Sequence, residues 1–268
     1  YMKGSAKIES IPVVMKLMIK DQKLKSLIGK LLILESQSEV TFQSPSKYKQ
    51  KVIAFKSSIP KEMTPKGGLH TSTSSIYQSD FMGYISPLSP QAFRYYDFKL
   101  VDIYTSGKYQ MNKIRVTPKV KNDRLFYGFI YIPENLWCVS SADLTANEMG
   151  TISRYVINYQ EVKPSVFLPI TYQMQSTIGT MGVKGYAAFY SSVKYENIKL
   201  NESIKSTGDI DITGKTINIP LDTDSKVKQK IENITSKNKI TTKDAIQLSK
   251  LLNKIAEPSQ ATKYIINS

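Results

Sequence analysis

The chain holds one cysteine, one histidine and one tryptophan in 268 residues, and only four of its 37 basic residues are arginine. Each scarcity excludes something. The lone Cys138 can form no internal disulfide, so an oxidising compartment is neither required nor forbidden. With no histidine or basic side chain next to it in sequence to lower its pKa, it reads as a small, inert core residue. The lone His70 has no Cys or His at metal-ligand spacing, which removes an ordinary zinc centre. A Ser-His-Asp hydrolase would have to use His70, and no G-x-S-x-G elbow is present. Arg94, Arg115, Arg124 and Arg154 are too few for a nucleic-acid binder, despite a formal net charge of +15, because base-edge and bidentate phosphate contacts use the guanidinium fork. No apolar run approaches the roughly 18 residues of a membrane-spanning helix, and no secretory or lipidation motif is recognisable. The start at Tyr1-Met-Lys-Gly reads as the interior of a longer protein, so the missing leader says nothing about where the parent resides.

What is present is a β vocabulary. Apolar residues make up 41% of the chain, with 17 Tyr and nine Phe, enough for a sizeable core. Leu27 to Phe42 alternates, with Leu32, Leu34, Ser36, Ser38, Val40 and Phe42 opposite Glu35, Gln37, Glu39 and Thr41, as a strand with one wet face does. Val13 to Lys20 alternates more weakly and reads as a strand, and Lys51 to Lys56 as another. Lys61 to Ser75 is a polar connection. Met111 to Leu144 reads as strand (Lys113 to Lys119), polar loop (Val120 to Arg124) and strand (Leu125 to Ile132), the last apolar or aromatic on both faces and therefore expected to be covered on both. Tyr155, Ile157 and Tyr159 lie opposite Arg154, Asn158 and Gln160; Ile170, Tyr172 and Met174 lie opposite Thr171, Gln173 and Gln175. Val183 to Leu200 adds one or two strands, with Gly179, Gly182 and Gly185 marking a turn or bend.

Helical signals are fewer. Ser89 as N-cap and Pro90 at the first position predict a short helix within Ser86 to Phe98, with Phe93 and Tyr96 on one face. Beyond about Asn201 the character changes: Asp222 to Ser236 and Thr242 to Ile255 read as helices. The second has Thr241 or Thr242 as cap, Asp244 in its first turn and an apolar stripe of Ala245, Leu248, Leu251, Leu252 and Ile255.

Chemical motifs are weak throughout. Gly208 to Thr216 imitates a phosphate loop but has five residues between its glycines where four are needed. Asp209 and Asp211 lack the rest of a calcium loop. Glu35 with Glu39, and Glu134 with Asp143, are carboxylate pairs that solvated strands supply by chance. No cofactor or metal is implied.

The run Asn112-Lys-Ile-Arg-Val-x-Pro-Lys119, then Gly128-Phe-Ile-Tyr-Ile132 and Leu136-Trp137, resembles the middle domain of a family of Bacteroidota outer-membrane proteins without an assigned biochemical function. Members are commonly labelled as carboxypeptidase-regulatory-like or TonB-dependent-receptor-like proteins. Glu35-Ser-x-Ser-Glu39, Pro45-x-Lys-Tyr-Lys49, Ser86-Pro-Leu-Ser-Pro90 with Tyr95-Tyr96, and Leu168-Pro169 with Tyr172 extend the resemblance over roughly residues 28 to 200. Lys61 to Ser75 departs from the pattern, being more polar. The resemblance implies a periplasmic domain, upstream of an outer-membrane region, in which any carboxypeptidase label refers to a non-catalytic neighbour.

The expected fold is mainly β with helices (α+β). It is a curved antiparallel sheet or unclosed β-barrel covered by helices over 1–200, similar to the lipoprotein-carrier half-barrel, with a linker and helical appendage over 201–268. The expected function is non-enzymatic: binding of a lipid, acyl chain or other hydrophobic ligand in a concave face lined by Tyr127, Phe129, Tyr131, Trp137, Tyr155 and Tyr172, on the periplasmic side of the outer membrane. The alternative is a docking domain for the parent's own outer-membrane region or a partner, through Leu248, Leu251, Leu252 and Ile255. A hydrolase is a distant third.

Overall fold

The computed structural model describes residues 1–43, 47–58, 74–200, 224–237 and 241–256. Ten strands form one antiparallel, unclosed sheet: β1 (Met2–Ser10), β2 (Leu32–Gln43), β3 (Lys47–Ser57), β6 (Tyr96–Ser106), β7 (Tyr109–Pro118), β8 (Phe126–Pro133), β9 (Ser141–Glu148), β10 (Thr151–Lys163), β11 (Val166–Thr180) and β12 (Val183–Ser192). Their order is β3-β2-β1-β12-β11-β10-β9-β8-β7-β6. The chain from β6 to β12 is therefore a meander, and the N-terminal β1 docks beside β12 and carries β2 and β3 outward. A two-residue hairpin, β4 (Asp80–Phe81) with β5 (Tyr84–Ile85), stands apart. Among the described residues five helices complete the fold: α1 (Val13–Met18), α2 (Gln22–Leu27), α3 (Ala92–Tyr95), α4 (Ser225–Thr235) and α5 (Thr242–Ala256).

Curvature shows where distant strands meet. The β10–β11 hairpin outgrows β8 and β9, and its end reaches the β6–β7 turn. There Glu161 accepts from the Tyr109 hydroxyl (2.7 Å) and pairs with Lys108 (2.8 Å), and Tyr109 meets Phe167 edge-on with ring centroids 5.8 Å apart. Inside the bend, β8 and β9 approach so closely that a Cβ on Gly128, whose φ is 143°, would fall 2.1 Å from the Asp143 carbonyl oxygen. Only glycine fits there.

Register fixes the two faces. Tyr155, Leu144 and Gly128 are cross-strand neighbours, as are Tyr172, Ile157, Ala142, Ile130 and Ile114, and the side chains among these are buried apart from Gly128, which is partly so. This is the core face. Residues 74–95 lie across it and contribute Ile76, Phe81, Tyr84 and Ala92 to the same cluster. Phe81, Tyr84, Phe126 and Tyr155 form a ring group with centroids 4.9–6.1 Å apart. Tyrosine hydroxyls pin the cover down: Tyr96 donates to the Ile85 carbonyl and accepts from Phe126 N–H (3.1 Å), and Tyr77 accepts from Val139 N–H (2.8 Å). Such hydroxyls satisfy backbone groups that have no ladder partner.

Several expectations are corrected. Val13 to Lys20 is not a strand: α1 occupies 13–18, and Leu27 ends α2, so that β2 starts only at Leu32. The helix expected within 86–98 is a single turn, α3, flanked at its N-terminus by Gln91 instead of Ser89 and without a side-chain cap, and Tyr96 already opens β6. Ser89 lies in the turn before it, where its N–H donates to the Ser86 carbonyl and its own carbonyl accepts from Ala92 N–H. Strand β1 had no clear alternation to announce it; it exists because β2 and β12 pair with it on both sides. Helices stand close to the two expected C-terminal spans, at Ser225–Thr235 and Thr242–Ala256. Asp224 caps α4, and Thr241 and Asp244 form a reciprocal cap on α5. His70, most of Lys61 to Ser75, and Gly208 to Thr216 lie outside the described residues.

Candidate functional site

The surface with the most concentrated chemistry is the outer face of β7 to β10, opposite the core. Antiparallel register sets Lys113 against Tyr131, Arg115 against Phe129, Phe129 against Asp143, and Tyr127 against Thr145. The Lys113 ammonium lies 4.5 Å from the Phe129 ring centre and 5.8 Å from that of Tyr131, and the Arg115 guanidinium carbon is 5.7 Å from Phe129. Each cation gains roughly 0.5–1 kcal/mol from the ring quadrupole at such a partly wet site, and its stem shields the ring from water. That explains why β8 is aromatic on its outer face without a second protein layer: Phe129 and Tyr131 are half-buried under basic side chains, and Tyr127 is 46% exposed. The expectation that both faces of β8 would be covered is corrected here.

The patch is bounded by a guanidinium–carboxylate fork: Arg154 Nε and Nη2 donate to the two oxygens of Asp143 at 2.8 and 2.7 Å. That carboxylate raises the Arg154 pKa further. Lys113 and Arg115 have no carboxylate within ion-pair distance among the described residues. On neighbouring β6, burial and then the nearby Tyr131 and Asp102 push up the Tyr104 phenol. The patch is thus a pair of basic side chains, unpaired with any described carboxylate, set on aromatic rings, a surface suited to anionic and aromatic groups.

The six residues expected to line one concavity do not share a face. Tyr155 and Tyr172 are core residues, each under 9% exposed, with burial driving both phenol pKa values upward. Tyr127, Phe129 and Tyr131 are on the outer face. Trp137 is half-buried in the β8–β9 connection at a φ of 52°. The cavity by Phe81, Tyr155, Tyr172, Met174 and Phe189 measures only about 10 Å³, room for about one water. A more polar hollow of about 200 Å³ lies beside the Asp80–Arg124 pair. Of the expected docking stripe, Leu248 and Leu251 pack with Val227, Ile231 and Ile234 of α4, so α4 already covers them, while the side chains of Leu252 and Ile255 lie outside the described residues. Ile246 joins the main core.

Two further reactive groups among the described residues are tied up structurally. Burial pushes the half-buried Cys138 thiol up to about 11, which keeps it protonated and a poor nucleophile at neutral pH. Lys108, the Tyr109 hydroxyl and Ser165 N–H together hold Glu161 down to about 2, an ionised anchor unsuited to proton transfer near neutrality.

A family model described as a family of unknown function, DUF5686, matches residues 1–196. The chain belongs to this family. The DUF5686 match thus takes in the whole ten-stranded sheet and ends just past β12. No curated protein and no solved structure matches the chain.

Proposed function

We propose that this DUF5686 domain is a non-enzymatic docking module of an outer-membrane protein, placed on the periplasmic side, whose outer sheet face receives an acidic segment of the parent's outer-membrane region or of a partner. The supporting observation is the patch itself: Lys113 and Arg115, unpaired with any described carboxylate, are held over Phe129 and Tyr131 beside the exposed Tyr127. Aromatic and basic side chains fixed on a rigid sheet are what interface centres are enriched in. The net charge of +15 favours an acidic partner and speeds encounter with it.

A hydrophobic ligand in the concave face remains as a second reading because the core face does bend around an aromatic group. It requires the 74–95 cover to lift, since the space beside Tyr172 and Phe189 is about 10 Å³. Native mass spectrometry before and after organic extraction separates the two: a stoichiometric lipid supports the ligand reading. Docking is tested by titrating an acidic peptide of alternating Glu and Phe against the chain and against Lys113→Glu/Arg115→Glu. Two lost attractions become two repulsions, so affinity is expected to fall at least about tenfold. Equal affinity for the two proteins would sink the docking reading.

A further inference from the structure

Three hairpins in this chain turn on the dipeptide Met-Gly, with both residues at positive φ: Met82-Gly83 (58° and 89°), Met149-Gly150 (48° and 86°) and Met181-Gly182 (48° and 77°). Two-residue turns of this kind favour Asn or Asp at the first position, because a side chain with Cβ and a long stem is disfavoured in the left-handed region. Met82 has a packing reason to be there: its side chain lies against the main core cluster. Met149 and Met181 have none. They are 76% and 81% exposed, at the tips of the β9–β10 and β11–β12 hairpins.

These two tips stand side by side. A Cβ on Gly150 would lie 2.9 Å from the Gly179 carbonyl oxygen, and one on Gly182 would lie 2.9 Å from the Pro12 ring. Pro12 is the N-cap of α1, which buries none of its residues. Val13, Val14, Leu17 and Met18 of that helix are each at least 68% exposed. The same end of the sheet thus carries six large apolar side chains that are each at least 68% exposed. The β1–β2 connection at this end supplies Lys16, Lys20, Lys25 and Lys30 against Asp21, with Glu9 closing β1 and Glu148 preceding Met149. Exposed apolar turns and an apolar helix in a lysine-rich connection fit a lipid headgroup layer, where methionine and leucine enter the acyl boundary and ammonium groups meet phosphates.

We infer that this end of the sheet, formed by α1 and the Met149 and Met181 turns, rests on a lipid bilayer bearing anionic headgroups. The inference does not depend on the outer-face docking reading, whose variants lie on β7. It is tested by flotation of the 268-residue chain with vesicles of phosphatidylglycerol and phosphatidylcholine in equal parts, and with phosphatidylcholine alone. The chain is expected to float with the anionic vesicles, less so at raised salt, and weakly with the neutral ones. Met149→Asn/Met181→Asn installs the residue these turns prefer, so the cooperative melt is retained while two apolar tips are lost. Vesicle partition is expected to fall at least about tenfold. Leu17→Ser/Met18→Ser, on an exposed helix, is expected to act in the same direction. Absence of flotation with anionic vesicles, partition indifferent to both lipid charge and salt, or an Asn double variant that melts cooperatively and floats as before would each overturn it; so would concentration-dependent self-association at these tips without vesicle binding.

Discussion

Truncating Tyr155 and Phe129 separately tests whether the two sheet faces are distinct. Tyr155 is 7% exposed, and its ring lies 5.7 Å from Phe126, 6.0 Å from Phe81 and 6.1 Å from Tyr84. Tyr155→Ala removes the centre of the group that binds the cover to the sheet. Aromatic-to-alanine changes in a closed core cost about 3–5 kcal/mol, ring-pair terms included. About 4 kcal/mol is a large share of the roughly 5–15 kcal/mol that holds a domain folded. Phe129 is half-buried on the outer face under Lys113 and Arg115, so Phe129→Ala loses one or two cation–ring contacts and part of an apolar area, about 1 kcal/mol. Urea unfolding followed by circular dichroism reads both. With a slope of about 2–3 kcal/mol per molar, Tyr155→Ala lowers the midpoint by about 1.5 M and Phe129→Ala by under about 0.5 M. Equal shifts, or a larger one for Phe129→Ala, would refute the assignment of faces.

Other outcomes follow from the same structure. Tyr96→Phe leaves the Ile85 carbonyl and Phe126 N–H without their hydroxyl partner and is expected to cost about 2–4 kcal/mol in the same unfolding assay. Burial raises the Tyr96 phenol to about 12; because its folded pKa lies above its unfolded one, its stabilising effect holds below pH 10 and fades between pH 10 and 12, which Tyr96→Phe flattens in an alkaline titration of stability. Glu161 is the opposite case: with its carboxyl held down to about 2, its contribution is present above about pH 4.5 and is lost between there and pH 2, so Glu161→Gln should reduce the acid slope of the melting temperature. Cys138, with its thiol pushed up to about 11, should react with a disulfide reagent at pH 8 well over tenfold more slowly than a free thiol in the unfolded chain.

The fold was legible where one strand face is wet. In β10 and β11 the alternation Tyr155, Ile157 and Tyr172 against Arg154, Asn158 and Gln173 matches the core and outer faces. The start of α5 at Thr241 and Thr242 was equally plain, as was the part of its stripe formed by Leu248 and Leu251, whereas the Asp224 cap of α4 was not read. Legibility failed where a partner decides: Met2–Ser10 is a strand because two neighbours pair with it, and Val13–Met18 carries six residues with no polar face beyond Lys16, a pattern that a strand and a one-sided helix share. The candidate site failed for a related reason. Phe126 to Ile132 is apolar throughout, so period-two reasoning cannot say which aromatics face the core. The placement of Lys113 and Arg115 over Phe129 follows from cross-strand register, which one sequence does not reveal.

The most direct test of docking is side-chain footprinting of the outer face in the protein assembled in the cells that make it, compared with the purified chain. Hydroxyl-radical labelling of Tyr127, Phe129 and Tyr131 and acylation of Lys113 are expected to fall several-fold in the assembled protein, while labelling of the buried Tyr155 stays low in both. Unchanged labelling at Tyr127 and Lys113 would contradict a docking role for this face.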